Sequence, residues 1–201
     1  MPYLHSCFIS YKHAPSYEGM PDIKSVWVEF VEALAAGVAK FPAVPLPPYY
    51  DVRLKKQPGI AYPEELSLRL CSSICLIAVL QPEYLESRWC LAEWKAMEQL
   101  EVIRLGGRQG LIIPVYFRGN RQQCEKLAQN RDIVDLSQVV KPRQQFDSIK
   151  YRRILEDIVE RIRSVRRNLP DPECSQVLIM GPEQPIVPAA SDPSPFSHAA
   201  P

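Results

Sequence analysis

The run from Ile74 to Leu80 places the tightest constraint on what this chain can fold into. Its residues, Ile-Cys-Leu-Ile-Ala-Val-Leu, are all apolar. The run is far too short to cross a bilayer, and it is typical of a strand that is covered on both faces. Such strands belong to parallel sheets with helices packed on both sides, so the run predicts an interior strand of an α/β domain.

Strand-like and helix-like segments alternate along the chain. We predict strands at residues 5–11, 42–50, 73–80, 111–117 and 133–136, and helices at 22–40, 63–70, 84–104 and 146–167. Prolines crowd the second strand and cannot donate to a sheet ladder, so this strand is expected at an edge. The same prolines are also compatible with a polyproline ligand. A flavodoxin-like, five-stranded parallel sheet in the order 2-1-3-4-5 places the second strand at an edge. Such sheets bind ligands beyond the carboxyl ends of the strands, at the switch point between strands one and three.

Length and composition predict one folded domain with a tail. The 201 residues suffice for one sizeable core, and the net charge of +1 gives no argument for nucleic acid or a membrane surface as partner. We expect residues 1–168 to fold and the proline-rich residues 169–201 to be disordered. The N-terminus lacks a secretory signal pattern, and the cysteines form no CxxC pair. These features predict a cytoplasmic protein with free thiols, no disulfide and no metal site.

Glu93 is the residue that stands out in the predicted helix at 84–104. The apolar positions of that helix recur at three- and four-residue spacing on one face: Trp89, Ala92, Ala96, Met97, Leu100 and Ile103. Glu93 falls on the same face, where an ionised carboxylate is costly unless it is paired or serves chemistry. The predicted strand order brings it to the same crevice as Tyr11, Lys12 and His13. Glu93 is therefore the first candidate for function, and a structural carboxylate that caps a loop or pairs with an arginine is the alternative.

Three segments of the sequence, in order, resemble the conserved boxes of Toll/interleukin-1 receptor (TIR) domains. Residues 8–11, Phe-Ile-Ser-Tyr, resemble the first box, and residues 51–60, with Pro58 and Gly59, resemble the BB loop. Residues 84–93 resemble the segment that ends in Ser-x-Trp-Cys-x-x-Glu. The likeness spans about residues 5 to 165. It implies self-association or binding to other TIR domains.

The resemblance also implies a reaction. Many bacterial and plant TIR domains, and one animal member, cleave NAD+ between nicotinamide and ribose, which gives ADP-ribose or a cyclic isomer and often serves antiviral defence or immune signalling. The catalytic glutamate of the family falls on Glu93. By similarity, Lys12, His13 and the BB-loop residue Gln57 line the site, although His13 and Gln57 depart from the animal pattern. NAD+ is then the substrate, and no further cofactor is expected.

One carboxylate is chemically sufficient for this reaction. Nicotinamide leaves as a neutral molecule and needs little acid help, whereas the ribosyl cation that develops needs a nearby anion. Lys12 offers a charge for the pyrophosphate, and Tyr11 and Trp89 offer aromatic surface for a base or the nicotinamide ring. Trp89 is also compatible with a place in the core.

Other functions remain open at the level of sequence. The chain is also compatible with a non-catalytic adaptor that binds TIR domains through its BB loop, and with an enzyme of the nucleoside deoxyribosyltransferase type. Cys90 beside Glu93 suggests a nucleophile, but no Cys-His arrangement supports that role, so we expect a packed thiol. A receiver domain and a Walker-type site are disfavoured, because strand three ends without an aspartate and no GxxxxGK[ST] run occurs.

Overall fold

The structure, a computed structural model, describes residues 2–12, 21–50, 62–137, 148–172 and 174, without the side chains of residues 21–28, 62 and 63. Strands and helices alternate along it. In chain order they are β1 (Phe8–Ser10), α1 (Pro21–Ala39), β2 (Tyr49–Tyr50), α2 (Tyr62–Cys71), β3 (Leu76–Leu80), α3 (Pro82–Leu85), α4 (Arg88–Leu105), β4 (Ile112–Tyr116), α5 (Arg121–Ala128), β5 (Val134–Asp135) and α6 (Ile149–Arg166).

The strands form one sheet whose pairs are all parallel. Their order is β2-β1-β3-β4-β5, which confirms the predicted flavodoxin-like topology. The predicted interior strand, β3, lies at the centre, and all of its residues are buried. It pairs with β1 from Phe8↔Leu76 and with β4 from Leu76↔Ile112. This register brings the carboxyl ends of β1 and β3 side by side.

The second strand is an edge strand, as its prolines predicted, but it is much shorter than expected. It consists of Tyr49 and Tyr50 alone and pairs only with β1. Pairing begins at the first residue after Pro48, since a proline nitrogen has no hydrogen to donate. Just before the strand, the carbonyl of Pro47 accepts a hydrogen bond from the Ser6 N–H at 3.2 Å.

Two apolar layers cover the sheet. Helices α1 and α6 pack on one face, where Phe30, Leu34 and Ile158 are buried. Helices α2 to α5 contribute to the layer on the other face, which contains Tyr84 and Met97. Successive side chains of β1 alternate between these layers, as a strand requires. The side chain at each position of β1 therefore faces a different set of helices from its neighbour.

The predicted helix at 84–104 is in fact two helices, α3 and α4. Ser87 lies between them and caps α4 by accepting a hydrogen bond from the Cys90 N–H at 3.4 Å. The buried face of α4 also differs from the predicted stripe, because Trp89 is only half-buried and Ile103 is 51% exposed. Glu101 and Arg104 are buried in their place. Their charges have polar partners, which an apolar pattern cannot reveal.

Helix α5 was not predicted from the sequence. It has few apolar residues, and its start is marked by Asn120, whose side chain accepts from the N–H groups of Gln122 and Gln123. Helix α6 agrees with its prediction, and its arginines pair with neighbouring acids, as in Arg161–Asp157 at 3.1 Å and Arg163–Glu160 at 3.0 Å. These pairs give the helix a solvated face with mixed charge.

The expectation of no disulfide is wrong. Cys71, the last residue of α2, is bonded to Cys174, with their Cα atoms 5.5 Å apart. The two cysteines are separated by 103 positions, so no local spacing could predict the pair. The bond holds a segment beyond α6 against the domain, where Leu169 also packs on the core. Within the described segments, no helix combines the length and apolarity needed to span a bilayer.

Candidate active site

The carboxyl ends of β1 and β3 lie side by side, at the position where the topology predicts a ligand crevice. Ser10 is the last residue of β1 and lies opposite Ala78 of β3. Gln81 follows β3 directly and is 2% exposed. Its side-chain Nε2 donates a hydrogen bond to the carbonyl of Lys12 at 3.4 Å, which ties the chain after β1 to the end of β3.

Glu93 is buried beside these strand ends and contacts Ser10, the last residue of β1. The residue is 7% exposed, and its Oε2 accepts a hydrogen bond from the Ser10 hydroxyl at 2.5 Å. Ser10 itself is 1% exposed. A short hydrogen bond to a carboxylate away from water is stronger than one between neutral groups. The contact therefore fastens the side chain of a helix residue to the sheet.

Tyr84 extends this contact into a chain of hydroxyl groups. Its hydroxyl lies 3.0 Å from Ser10 Oγ, and it also lies 3.3 Å from the carbonyl of Cys90, to which it can donate. A serine hydroxyl has one proton, so while Ser10 donates to ionised Glu93 it can only accept from Tyr84, whose own single proton then no longer goes to the Cys90 carbonyl. Burial raises the pKa of Tyr84 well above its ordinary value, with the charge of Glu93 as a further cause. Tyr84 therefore keeps its proton and remains a donor.

Cys90 is a packed thiol, as predicted. Burial, and then the negative charge of Glu93, raises the pKa of this thiol to about 12. It is thus neutral near pH 7 and unsuited to be a nucleophile. The positive charge of Lys12 acts in the opposite direction on the same pKa. Cys90 lies three residues before Glu93 on α4, so the charge of Lys12 acts on the same stretch of the helix.

A family model described as "TIR domain" matches residues 42–155, which is more than half of the chain. The chain belongs to the TIR domain family. The match includes helix α4, which carries Glu93. It begins after the first box at residues 8–11, so it does not cover that box. A comparison with curated proteins finds no match.

This TIR domain brings together some of the residues that the sequence singled out. Lys12 is joined through its carbonyl to Gln81 after β3, and its charge acts on Cys90, three residues before Glu93. Trp89 is half-buried in the first turn of α4 and packs against the apolar layer around Tyr84. Tyr11 is 6% exposed and packs in the layer of α1 and α6, across the sheet from Glu93. His13 and Gln57, together with the Pro58–Gly59 loop, lie outside the described residues.

Three further residues at the site were not assigned from the sequence. Ser10 and Tyr84 contact the Glu93 network, and Gln81 joins the two strand ends. The Oε1 atom of Gln81 is buried and has no hydrogen-bond partner among the described residues. The alternation of β1 offered a signal for Ser10, since it is a polar residue on the same strand face as buried Phe8.

Proposed function

We propose that this TIR domain cleaves NAD+ between nicotinamide and ribose, with Glu93 as the catalytic residue. The observation that carries the proposal is a glutamate that is 7% exposed, held by Ser10 and situated where β1 and β3 end. Ligands of doubly wound parallel sheets bind at this point. Charged groups that are buried at a crevice cluster at functional sites, because chemistry repays their cost.

The reaction needs one bond to break and one to form. The bond between ribose C1′ and the nicotinamide nitrogen breaks, and its electron pair stays on the nitrogen, so the cationic ring leaves as neutral nicotinamide. The Glu93 carboxylate stabilises the cation that develops at the ribose. A water oxygen then bonds to C1′ and loses a proton to solvent, which yields ADP-ribose. If a nucleophilic atom of the same nucleotide replaces water, the product is a cyclic isomer.

Lys12 and Trp89 are the described residues that we assign to substrate binding. The ammonium of Lys12, which acts on the Cys90 thiol, gives the crevice a positive charge for the pyrophosphate. Trp89 keeps part of its indole accessible and can stack against a flat ring. His13 and Gln57 remain in the proposed binding set on family grounds. Tyr11 was proposed for its aromatic surface and stays a proposal, although its ring packs across the sheet from Glu93.

A second buried glutamate on α4 illustrates what a structural carboxylate looks like. Glu101 is 3% exposed, and its Oε1 accepts hydrogen bonds from the N–H groups of Gly110 and Leu111, both at 2.8 Å. Its Oε2 pairs with Arg131 at 2.7 Å. That carboxylate closes the turn before β4 and lies near the amino end of the strand. Glu93 instead lies at the carboxyl ends of β1 and β3, where sheets of this type bind ligands, and this position supports a catalytic role.

The test is the release of nicotinamide from NAD+ by the purified full chain. We expect Glu93→Gln to lower the rate by roughly a thousandfold or more, because the variant keeps the shape of the side chain but loses its charge. Glu86→Gln, which changes an exposed glutamate just before α4, should leave the rate unchanged. Mass spectrometry of the products distinguishes ADP-ribose from a cyclic isomer.

The assay should be repeated at high protein concentration and with crowding agents, since assembly often completes the site in this family. No nicotinamide release under any of these conditions, or equal release by Glu93→Gln, would contradict the proposal. Base exchange between deoxynucleosides without NAD+ turnover would instead point to a deoxyribosyltransferase-type activity.

A signalling adaptor is the second candidate, and exposed apolar side chains favour it. Leu68 on α2 is 52% exposed, and Val102 and Ile103 on α4 are 64% and 51% exposed. Such residues at a surface are suited to contact with another protein. If the protein is an adaptor, the Glu93→Gln variant should recruit its partner as well as the wild type does. Disruption of the Pro58–Gly59 loop should abolish recruitment.

A further inference from the structure

Ser10 is placed so that it can control the carboxylate of Glu93, and the strand ladder determines that placement. The residue lies at the end of β1 and pairs with Ala78 on the central strand. Glu93 is on α4, on a separate element 83 positions later in the chain. A glutamate side chain has several rotatable bonds, whereas a serine on a paired strand has one. The hydrogen bond therefore transfers the rigidity of the sheet to the carboxylate.

Tyr84 fixes the orientation of Ser10 in turn. Its fully buried side chain comes from α3, a third element, and its hydroxyl lies 3.0 Å from Ser10 Oγ. When Tyr84 gives its one proton to Ser10 rather than to the carbonyl of Cys90, the Ser10 hydroxyl donates to Oε2 of Glu93, with 2.5 Å between the two oxygens. The hydroxyl protons of Tyr84 and Ser10 then both point toward the negative charge of Glu93, and each hydrogen bond polarises the next.

We propose that Ser10 is a positioning residue for Glu93 and that Tyr84 supports it as the second member of the same hydroxyl chain. This inference rests on the proposed function, since it assigns to Ser10 a role in the cleavage of NAD+. The chain holds the carboxylate in one orientation and favours its charged form in a buried position. The other titratable groups that the described structure sets around Glu93 include Cys90 on α4 and Lys12 after β1.

A purely structural role for Ser10 makes a different prediction. If the hydroxyl only satisfied a buried carboxylate, its removal would lower the melting temperature and leave the turnover of the folded protein unchanged. A positioning role instead lowers kcat and leaves the KM for NAD+ near its wild-type value, because the substrate contacts are intact while the carboxylate is misplaced. The split between kcat and KM therefore separates the two roles.

The experiment measures nicotinamide release by the full-length wild type and by Ser10→Ala, Ser10→Thr and Tyr84→Phe, with melting temperatures recorded for each. We expect Ser10→Ala to lower kcat by roughly ten- to a hundredfold, with a smaller loss for Tyr84→Phe. Ser10→Thr keeps the hydroxyl and should restore most of the rate. The acidic limb of the pH profile should move to higher pH in Ser10→Ala, since the carboxylate loses a donor that favours its charge.

Ser73→Ala is the matched control, because Ser73 is a fully buried serine near the amino end of β3, away from Glu93. It should leave kcat unchanged. Release that needs Glu93 but is unaffected by both Ser10→Ala and Tyr84→Phe overturns this inference alone. No release by the wild type overturns the proposed function and this inference together. If Ser10→Thr does not fold, an unchanged kcat in both Tyr84→Phe and Ser10→Ala is still sufficient to reject a positioning role for the two hydroxyl groups.

Discussion

At the scale of single residues, buried polar groups in this protein differ in how their charge is compensated. Glu101 is held by two backbone N–H groups and by Arg131, whose guanidinium also lies 5.3 Å from the centre of the Trp94 ring. Glu93 is held by the hydroxyl groups of Ser10 and Tyr84 at the carboxyl ends of β1 and β3. The first arrangement stabilises a turn, and the second is the one that the proposed function assigns to chemistry.

Glu101→Gln should therefore destabilise the fold. The amide NH2 group faces either the two N–H donors or Arg131, and in both cases the guanidinium loses its buried acidic partner. We expect a loss of about 3 kcal/mol in the free energy of unfolding, measured by urea denaturation. The exposed control Glu86→Gln should change it by less than about 0.5 kcal/mol. An equal effect of the two variants would contradict the structural role of Glu101.

At the scale of elements, the break between α3 and α4 is what positions the candidate site. Tyr84 belongs to α3 and Glu93 to α4. Because the helix is broken, the two side chains approach Ser10 from separate elements. Ser87 creates the break, because its extended backbone and its side-chain hydrogen bond start a new helix at Arg88. A serine is among the preferred residues at this position.

Replacing the cap should weaken the start of α4. We expect Ser87→Ala to lower the free energy of unfolding by about 1 kcal/mol, because the N–H of Cys90 loses its acceptor. Ser87→Asn offers another acceptor and should retain most of the stability. Urea denaturation of the two variants is the measurement, and an Asn variant as weak as the Ala variant would argue against a capping role.

At the scale of the whole molecule, the protein consists of a central sheet with neutral thiols in the layers on both faces. Cys7 and Cys75 lie in the layer of α1 and α6, and Cys90 and Cys124 lie in the other. Burial raises the pKa of Cys7 to about 12, well above the ordinary 9.0 of a thiol. Ionisation of this thiol in the folded protein is therefore unfavourable.

This pKa predicts a loss of stability in alkali. The folded pKa of Cys7 is raised, so its contribution is complete below pH 9 and is lost as the pH rises toward 12, since the unfolded thiol ionises first. Each pH unit in that window should cost about 1.4 kcal/mol for this one group. Urea denaturation from pH 8 to 11 should show a shallower fall for Cys7→Ala than for the wild type. Parallel curves would contradict the assignment.

The sequence predicted the architecture well because its signals are local. An uninterrupted apolar run identified the central strand, prolines identified the edge strand, and the position of Glu93 in a helical pattern identified a buried carboxylate. Each of these inferences needs only neighbouring residues and the geometry of one element. The exact ends of elements, and helix α5, were less predictable because they depend on caps and on contacts with other elements.

The sequence by itself thus determined the strand order, the central core and the candidate carboxylate. Only the tertiary structure decided which groups meet it: Ser10 and Tyr84 joined Glu93, whereas Tyr11 packed across the sheet. It also decided that Cys71 bonds to Cys174. The physical reason is the same in each case. Periodicity fixes the direction of a side chain within its own element, but the partner on another element follows from how strands and helices pack in three dimensions.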